Sequence, residues 1–283
     1  MAQIIFIQLL TSSHKDYPMQ TGRALRLKRI FKKDGKAVIV AIDHALIAGN
    51  MPPLAKPAQL IAALVKGGAD ALLLTRGMIR HGLPAFSRQC GVIYRISGGF
   101  TLLTDPAAFK ERIISAPEEA LRLGADGVAV TIKFGHELEG QFMEQASRVA
   151  DSCAAWGLPL LIEVMVRGAM VEKWGQLEAL KIAARGAVEL GADLVKIQYQ
   201  GPPEKFAELI ELCPVPVVVL GGEKAPVKEV FELVRGAVAA GAAGVAMGRN
   251  IWGHTDVPRM TRTLAGLVHN RWSEEKALEY LEQ

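Results

Sequence analysis

Cysteine is scarce in this chain of 283 residues. Cys90, Cys153 and Cys213 are odd in number, far apart and without a C-x-x-C spacing, which argues against a disulfide scaffold and for reduced thiols in a cytoplasmic protein. Metal motifs are missing as well. His14, His44, His81, His136, His254 and His269 show neither H-x-H nor H-E-x-x-H spacing, so only ligands converging from separate strands would make a metal site. No apolar run is long enough to cross a bilayer, and the opening "MAQIIFIQLL" lacks a basic flank and a cleavage-site pattern. A net charge of +4 spread along the chain gives no footprint for nucleic acid. Absent too are a G-x-S-x-G elbow, a G-x-G-x-x-G after the first strand and a Walker-type G-x-x-x-x-G-K, which removes the usual signatures of α/β-hydrolase, dinucleotide and P-loop chemistry.

What the sequence has is apolar residues, 50% of the total, enough for a large core in a single domain. They fall in a rhythm. Eight short runs, "AVIVAID", "DALLLTR", "VIYRIS", "GVAVTIK", "PLLIEVM", "DLVKIQY", "PVPVVVLGG" and "AGVAMGR", are each followed by a longer stretch. Several of those stretches show amphipathic helical spacing and close on glycine. Near-continuous apolar strands suit parallel sheet buried on both faces. Strand then helix, eight times, predicts a (β/α)₈ TIM barrel over residues 23–283, ending in a C-terminal helix. An open doubly wound sheet is the rival. Residues 1–22 form either an arm over a neighbouring subunit or a disordered terminus. "GGAD", "LGAD" and "LGAD" lead into strands two, four and six, a recurrent helix-to-strand turn.

In such barrels chemistry sits at the C-terminal strand ends. Those ends carry Asp43 and His44 on strand one, Arg76 on two, Lys133 on four, and Glu163 and Met165 on five. Strand six offers Lys196 and Gln198; seven and eight offer Gly221, Gly222, Gly248, Arg249 and Asn250. Strand parity puts Leu194, Lys196 and Gln198 on one face, expected to be the lumen. A lysine enclosed there is either a nucleophilic amine, because desolvation and nearby positive charge favour the neutral form, or the ion-pair partner of Asp43 or Glu163. Asp43 is a functional carboxylate or a turn residue. The glycine clusters "VVVLGGEKAP" and "VAMGRNIW" on adjacent strands suit a phosphate, with Gly221, Gly222 and Gly248 offering N–H donors and Arg249 the charge; ordinary turns are the plainer reading.

With these residues placed, the chain resembles the archaeal-type class I fructose-bisphosphate aldolase family. That family includes 2-amino-3,7-dideoxy-heptulosonate synthase and 3-hydroxy-5-phosphonooxypentane-2,4-dione thiolase. The similarity runs from "RLKRIF" to the C-terminus and is most specific in "CPVPVVVLGGEK", "GAAGVAMGRNIW" and "ADLVKIQY". The resemblance implies Lys196 as the imine-forming residue, Asp43 as its first-strand partner, and Gly222 and Arg249 among the phosphate contacts. It also implies no cofactor, a phosphorylated small-molecule substrate and a ring-shaped homo-oligomer.

Two departures stand out. Ala45 replaces the glycine of the family's Asp-His-Gly, and "MVRG" replaces "YPRG", so Met165 occupies the place of the proton-transferring tyrosine. The thiolase branch also lacks that tyrosine, and "RLKRIF", "TRGMIR" and "LVHNRWSEEKALEYL" look closer to it. Glu163, on the strand face of Met165, is expected either to take over acid/base work beside Lys133 or to form a salt bridge with it. Three functions follow: a Schiff-base lyase, a thiolase passing an acyl group to coenzyme A, or an idle phosphate-binding barrel.

Overall fold

The computed structural model describes residues 21–86, 89–105 and 110–283. Its strands are β1 (Ala37–Ala41), β2 (Ala71–Leu74), β3 (Gly91–Arg95), β4 (Ser97–Gly98), β5 (Arg112–Ile113), β6 (Gly127–Phe134), β7 (Leu160–Val166), β8 (Leu194–Gln198), β9 (Val217–Leu220) and β10 (Gly244–Met247). All but β4 and β5 close into one parallel barrel in the order β1-β10-β9-β8-β7-β6-β3-β2. The open-sheet rival is excluded because β1 pairs with both β2 and β10. β4 and β5 form a short antiparallel pair at the mouth. The expected arm lies outside the described residues except for Thr21 and Gly22, which begin a helix, Thr21–Ile30. The C-terminal helix is Glu274–Glu282.

Alternation along the strands builds two cores. Inward residues such as Ile39, Leu73, Ile93, Leu161, Leu194 and Val218 fill the lumen, whereas their neighbours Val38, Leu72, Ile162, Val195 and Val219 pack outward with the helices. Each such fully buried aliphatic side chain contributes about 1.5–3 kcal/mol. Two helices end in left-handed backbone, which glycine adopts without a Cβ clash: Gly68 (φ 89°) and Gly157 (φ 60°) stop the helices Pro57–Gly67 and Glu139–Trp156. Among the described residues no helix is long and apolar enough to cross a membrane. The three cysteines are buried and unpaired, and burial pushes the Cys90 and Cys153 thiols up to about 12.

The recurrent Gly-Ala-Asp turns have a physical role at the base. Asp70, Asp126 and Asp193 each accept a hydrogen bond from the backbone N–H that opens the preceding barrel strand or its first turn: Val38 (2.6 Å), Val92 (2.9 Å) and Leu160 (2.9 Å). Beneath them runs the helix Thr21–Ile30. Arg23 pairs with Asp193 at 3.1 Å, Arg29 with Asp126, and Lys32, just beyond the helix, with Asp70 at 3.3 Å. Leu27, Ile30 and Phe31 from the same segment join the lumen core. This basic, apolar stretch therefore plugs the bottom of the barrel and leaves the other end open.

Candidate active site

The open end holds a cavity of about 450 Å³, lined among others by Asp43, His44, Arg95, Glu111, Thr131, Lys133, Glu163, Met165, Arg167 and Lys196. That volume suits a small-molecule ligand. Of the candidates read from the sequence, Asp43, His44, Lys133, Glu163 and Lys196 come together here. Lys196 takes the lumen parity of Leu194 and is 5% exposed, and its Nζ lies 2.6 Å from Glu163 Oε1. Between the two expected carboxylates, Glu163 is thus its partner, because β7 and β8 set Glu163 directly opposite Lys196.

The third strand supplies a group missing from the strand-end candidates. Arg95, buried, donates from Nε to Asp43 (2.6 Å), from Nη1 to Thr131 (2.5 Å) and from Nη2 to Glu163 (2.6 Å). Thr131 Oγ1 in turn donates to Glu163 at 2.9 Å. The signal was present in "VIYRIS": an arginine inside an apolar run, on the inward parity of Ile93, as Lys196 is on that of Leu194. His44 Nδ1 lies 3.3 Å from the other Asp43 oxygen, and the His44 ring meets the edge of Trp252 at 5.6 Å.

These contacts settle the charge of two carboxyls. Burial alone would raise both. For Asp43 it is overcome by the Arg95 guanidinium, the adjacent His44 imidazole and Lys196, which hold the carboxyl well below its usual range. For Glu163 it is overcome by Lys196 and Arg95, which bring the carboxyl down to about 2. Glu163 is therefore held as an anion that accepts hydrogen bonds from Arg95 and Thr131 and pairs with Lys196.

Lys133 does not pair with Glu163. Register places it opposite Met165, two residues nearer the mouth than the Thr131 and Glu163 pair, roughly 6.6 Å along the strand. Its Nζ lies 3.7 Å from Glu111 and 4.5 Å from the centre of the Phe100 ring. Burial lowers the Lys133 amine; Glu111 opposes that shift and Arg167 adds to it. Glu111, absent from the sequence candidates, is 7% exposed and has its carboxyl raised by burial against the pull of Ser97, Arg95 and Lys133. Its position before the two-residue β5 gave no periodic signal.

Arg76 and Gln198 fall outside the cavity, as do the glycine clusters. Arg76 heads the helix Arg76–Gly82 and bonds Ser115 at 3.0 Å; Gln198 is exposed at the rim. The glycine clusters lie beyond the cavity lining, on the neighbouring ends of β9 and β10. Gly222 (φ 65°) has open space where a Cβ would point, while a Cβ on Gly248 would meet Ala41 O at 2.5 Å and His44 Cε1 at 2.9 Å. Asn250 braces the β9 loop, donating to Gly221 O (2.8 Å) and Glu223 O (3.0 Å) and accepting from Ala225 N (2.9 Å). The Arg249 guanidinium is ion-paired with Glu223, whose carboxylate is largely exposed.

Comparison with known proteins bears on this arrangement. The DeoC/LacD family aldolase model matches residues 37–254. The chain is 34% identical over 251 residues, 88% of its length and 91% of the relative's, to 2-amino-4,5-dihydroxy-6-oxo-7-(phosphonooxy)heptanoate synthase of Streptomyces griseus. To 2-amino-3,7-dideoxy-D-threo-hept-6-ulosonate synthase 1 of Archaeoglobus fulgidus it is 31% identical over 259 residues, 92% and 95% of the two chains. Among solved structures, an archaeal fructose 1,6-bisphosphate aldolase superposes with a TM-score of 0.78 at 32% identity over 87% of this chain and 98% of that one. Another, whose catalytic lysine is covalently bound to the carbinolamine intermediate of its substrate, gives 0.76 at 31% identity over 86% and 98%. The chain belongs to the DeoC/LacD family of aldolases and is a class I aldolase-like enzyme.

Proposed function

We propose that the protein is a Schiff-base lyase that breaks or forms a C–C bond in a phosphorylated ketose or diketone, with Lys196 as the imine-forming residue. The observation that carries this reading is the 2.6 Å contact between Lys196 Nζ and the ionised Glu163 at the bottom of the cavity. The Lys196 amine, its proton released to solvent through the open mouth, attacks the substrate ketone, and loss of water leaves an iminium that accepts the electrons of the breaking C–C bond while Glu163 stays ionised beside it. Asp43, fixed by Arg95 and His44, supplies a second negative charge that stabilises the cationic imine. The phosphate is bound between Gly221-Gly222 and Gly248-Arg249, where Arg249 exchanges Glu223 for the ligand. The enzyme works without a cofactor, in the cytoplasm, as a ring-shaped homo-oligomer.

Borohydride reduction with a panel of phosphorylated ketones, analysed by peptide mass, tests the assignment. The expected label falls on Lys196 and disappears in Lys196→Ala. Label on Lys133 overturns the assignment, and no label with any ketone phosphate favours the idle barrel.

A second reading, acyl transfer from a phosphorylated diketone to coenzyme A, is favoured by Met165, since a thioether cannot carry the proton that the family's tyrosine carries. It uses the same imine. Product formation that requires coenzyme A distinguishes it from the lyase.

A further inference from the structure

The cavity contains three carboxyls, and they are held differently. Asp43 is tied to Arg95 at 2.6 Å and to His44. Glu163 is fully engaged by Arg95, Thr131 and Lys196 at 2.6–2.9 Å. Among the described residues, Glu111 has the Ser97 hydroxyl nearby and Lys133 at 3.7 Å, with Arg95 acting at longer range. Lys133 in turn stands cross-strand from Met165, the residue that occupies the place of the family's tyrosine. A loosely held, buried carboxyl group therefore sits beside the position where a proton carrier is missing.

We propose that Glu111, positioned by Lys133 and Ser97, is the proton carrier of the C–C bond step, an inference that rests on the imine at Lys196. In the cleavage direction its carboxylate accepts the proton of the substrate hydroxyl next to the breaking bond. That oxygen becomes the carbonyl of the departing aldehyde, and the bond's electron pair moves onto the carbon next to the imine, giving an enamine at Lys196. The carboxylic acid so formed returns the proton to the enamine carbon. The iminium is regenerated, ready for hydrolysis, and Glu111 is again a carboxylate. No oxidant, reductant or metal is needed for the balance.

The raised Glu111 carboxyl suits this work, since an acid/base group is most effective when its pKa lies near the operating pH. Glu163 and Asp43, both drawn down by cations, are better placed to stay anionic throughout. The mouth-side level of Lys133, two residues above Lys196's partner Glu163, also puts Glu111 on the side from which a substrate chain extends away from the imine.

The test uses dihydroxyacetone phosphate with two readouts: borohydride trapping at Lys196, which reports the imine, and exchange of the carbon-bound hydrogen next to the carbonyl for deuterium, which reports the proton carrier. In Glu111→Gln, trapping is expected to persist while exchange falls by about 10²–10⁴ and loses its dependence on pH in the range where Glu111 titrates. Because Glu111→Gln leaves Lys133 without a counter-charge, a double variant, Glu111→Gln with Lys133→Gln, removes both charges and is expected to behave alike. Exchange at the unaltered rate in either variant, with trapping intact, overturns the inference. So does a loss of exchange that merely tracks a loss of trapping, which marks a structural role. Absence of trapping in the unaltered protein with this and every other phosphorylated ketone of the panel overturns the imine reading and this one with it.

Discussion

Arg95 and Glu163 are joined across β6: the Nη2 of Arg95 on β3 donates to Oε2 of Glu163 on β7 at 2.6 Å, while the other Glu163 oxygen holds Lys196 at 2.6 Å. One carboxylate thus links the buried arginine to the amine. Arg95→Met removes the cation and leaves Asp43 and Glu163 enclosed with less compensation, so it is expected to destabilise the fold by about 3–5 kcal/mol in urea unfolding. It also bears on acid stability. The Glu163 carboxyl, at about 2 in the fold against about 4.3 unfolded, contributes stability above pH 4.3 that is lost as pH falls toward 2. Without Arg95 that loss is expected to begin at higher pH.

Glu163→Gln tests a different step. With the anion beside Lys196 gone, the cationic imine loses a stabilising charge and is expected to form more slowly, by about 10²-fold, so borohydride labelling at early times falls. Labelling at the unaltered rate would show that Glu163 does not stabilise the imine.

The Arg249 and Glu223 pair makes opposite predictions for its two members. Arg249→Ala is expected to weaken phosphorylated ligands by roughly tenfold and spare unphosphorylated ones, since it removes a charge-assisted hydrogen bond. Glu223→Gln frees the guanidinium and is expected to tighten phosphate binding. Calorimetric titration with inorganic phosphate and a sugar phosphate measures both, and equal loss for phosphorylated and neutral ligands speaks against a phosphate role.

His269 links the C-terminal region to the base of the barrel, with Nε2 2.8 Å from Asp70 and Nδ1 2.8 Å from Asp34. Burial alone would lower its pKa, but the hydrogen bonds and charges of Asp70 and Asp34 prevail and raise it. The stability it contributes is therefore fully present below its unfolded value of about 6.5 and lost as pH rises through the raised folded value. Melting temperatures of the unaltered protein and His269→Gln are expected to differ most near pH 6 and to converge at alkaline pH.

Gly248→Ala is expected to destabilise the protein by about 1–3 kcal/mol, because the new methyl group meets the Ala41 carbonyl oxygen at 2.5 Å and backbone cannot swing away as a side chain can. Thermal unfolding checks it.

The barrel was legible in the sequence because each strand is a short apolar run and several of the helices close on glycine, and all eight expected strands pair in chain order. Lys196 was legible for the same reason: a charge in an apolar run at lumen parity is conspicuous. Arg95 carried an identical mark in "VIYRIS" but lies on the third strand, the one strand whose end gave no candidate. Glu111 was not legible. It precedes a two-residue strand, and only the closing of β4 against β5 brings its carboxyl to Lys133. The pairing of Lys133 was misjudged because the strand register, invisible in sequence, sets it opposite Met165, two residues beyond the partner of Glu163.

At the base, three aspartates each tie a strand to its predecessor, and three cations of one segment, Arg23, Arg29 and Lys32, bind them together. Closure of the cylinder is thus entrusted to the end farthest from the reacting carbon. A lineage that exchanges the tyrosine for Met165, or recruits a new carboxylate at the rim, alters its chemistry without touching the clasp that keeps the staves together. The same division of labour gives protein engineers a scaffold whose mouth can be rewritten residue by residue while its foot is left alone.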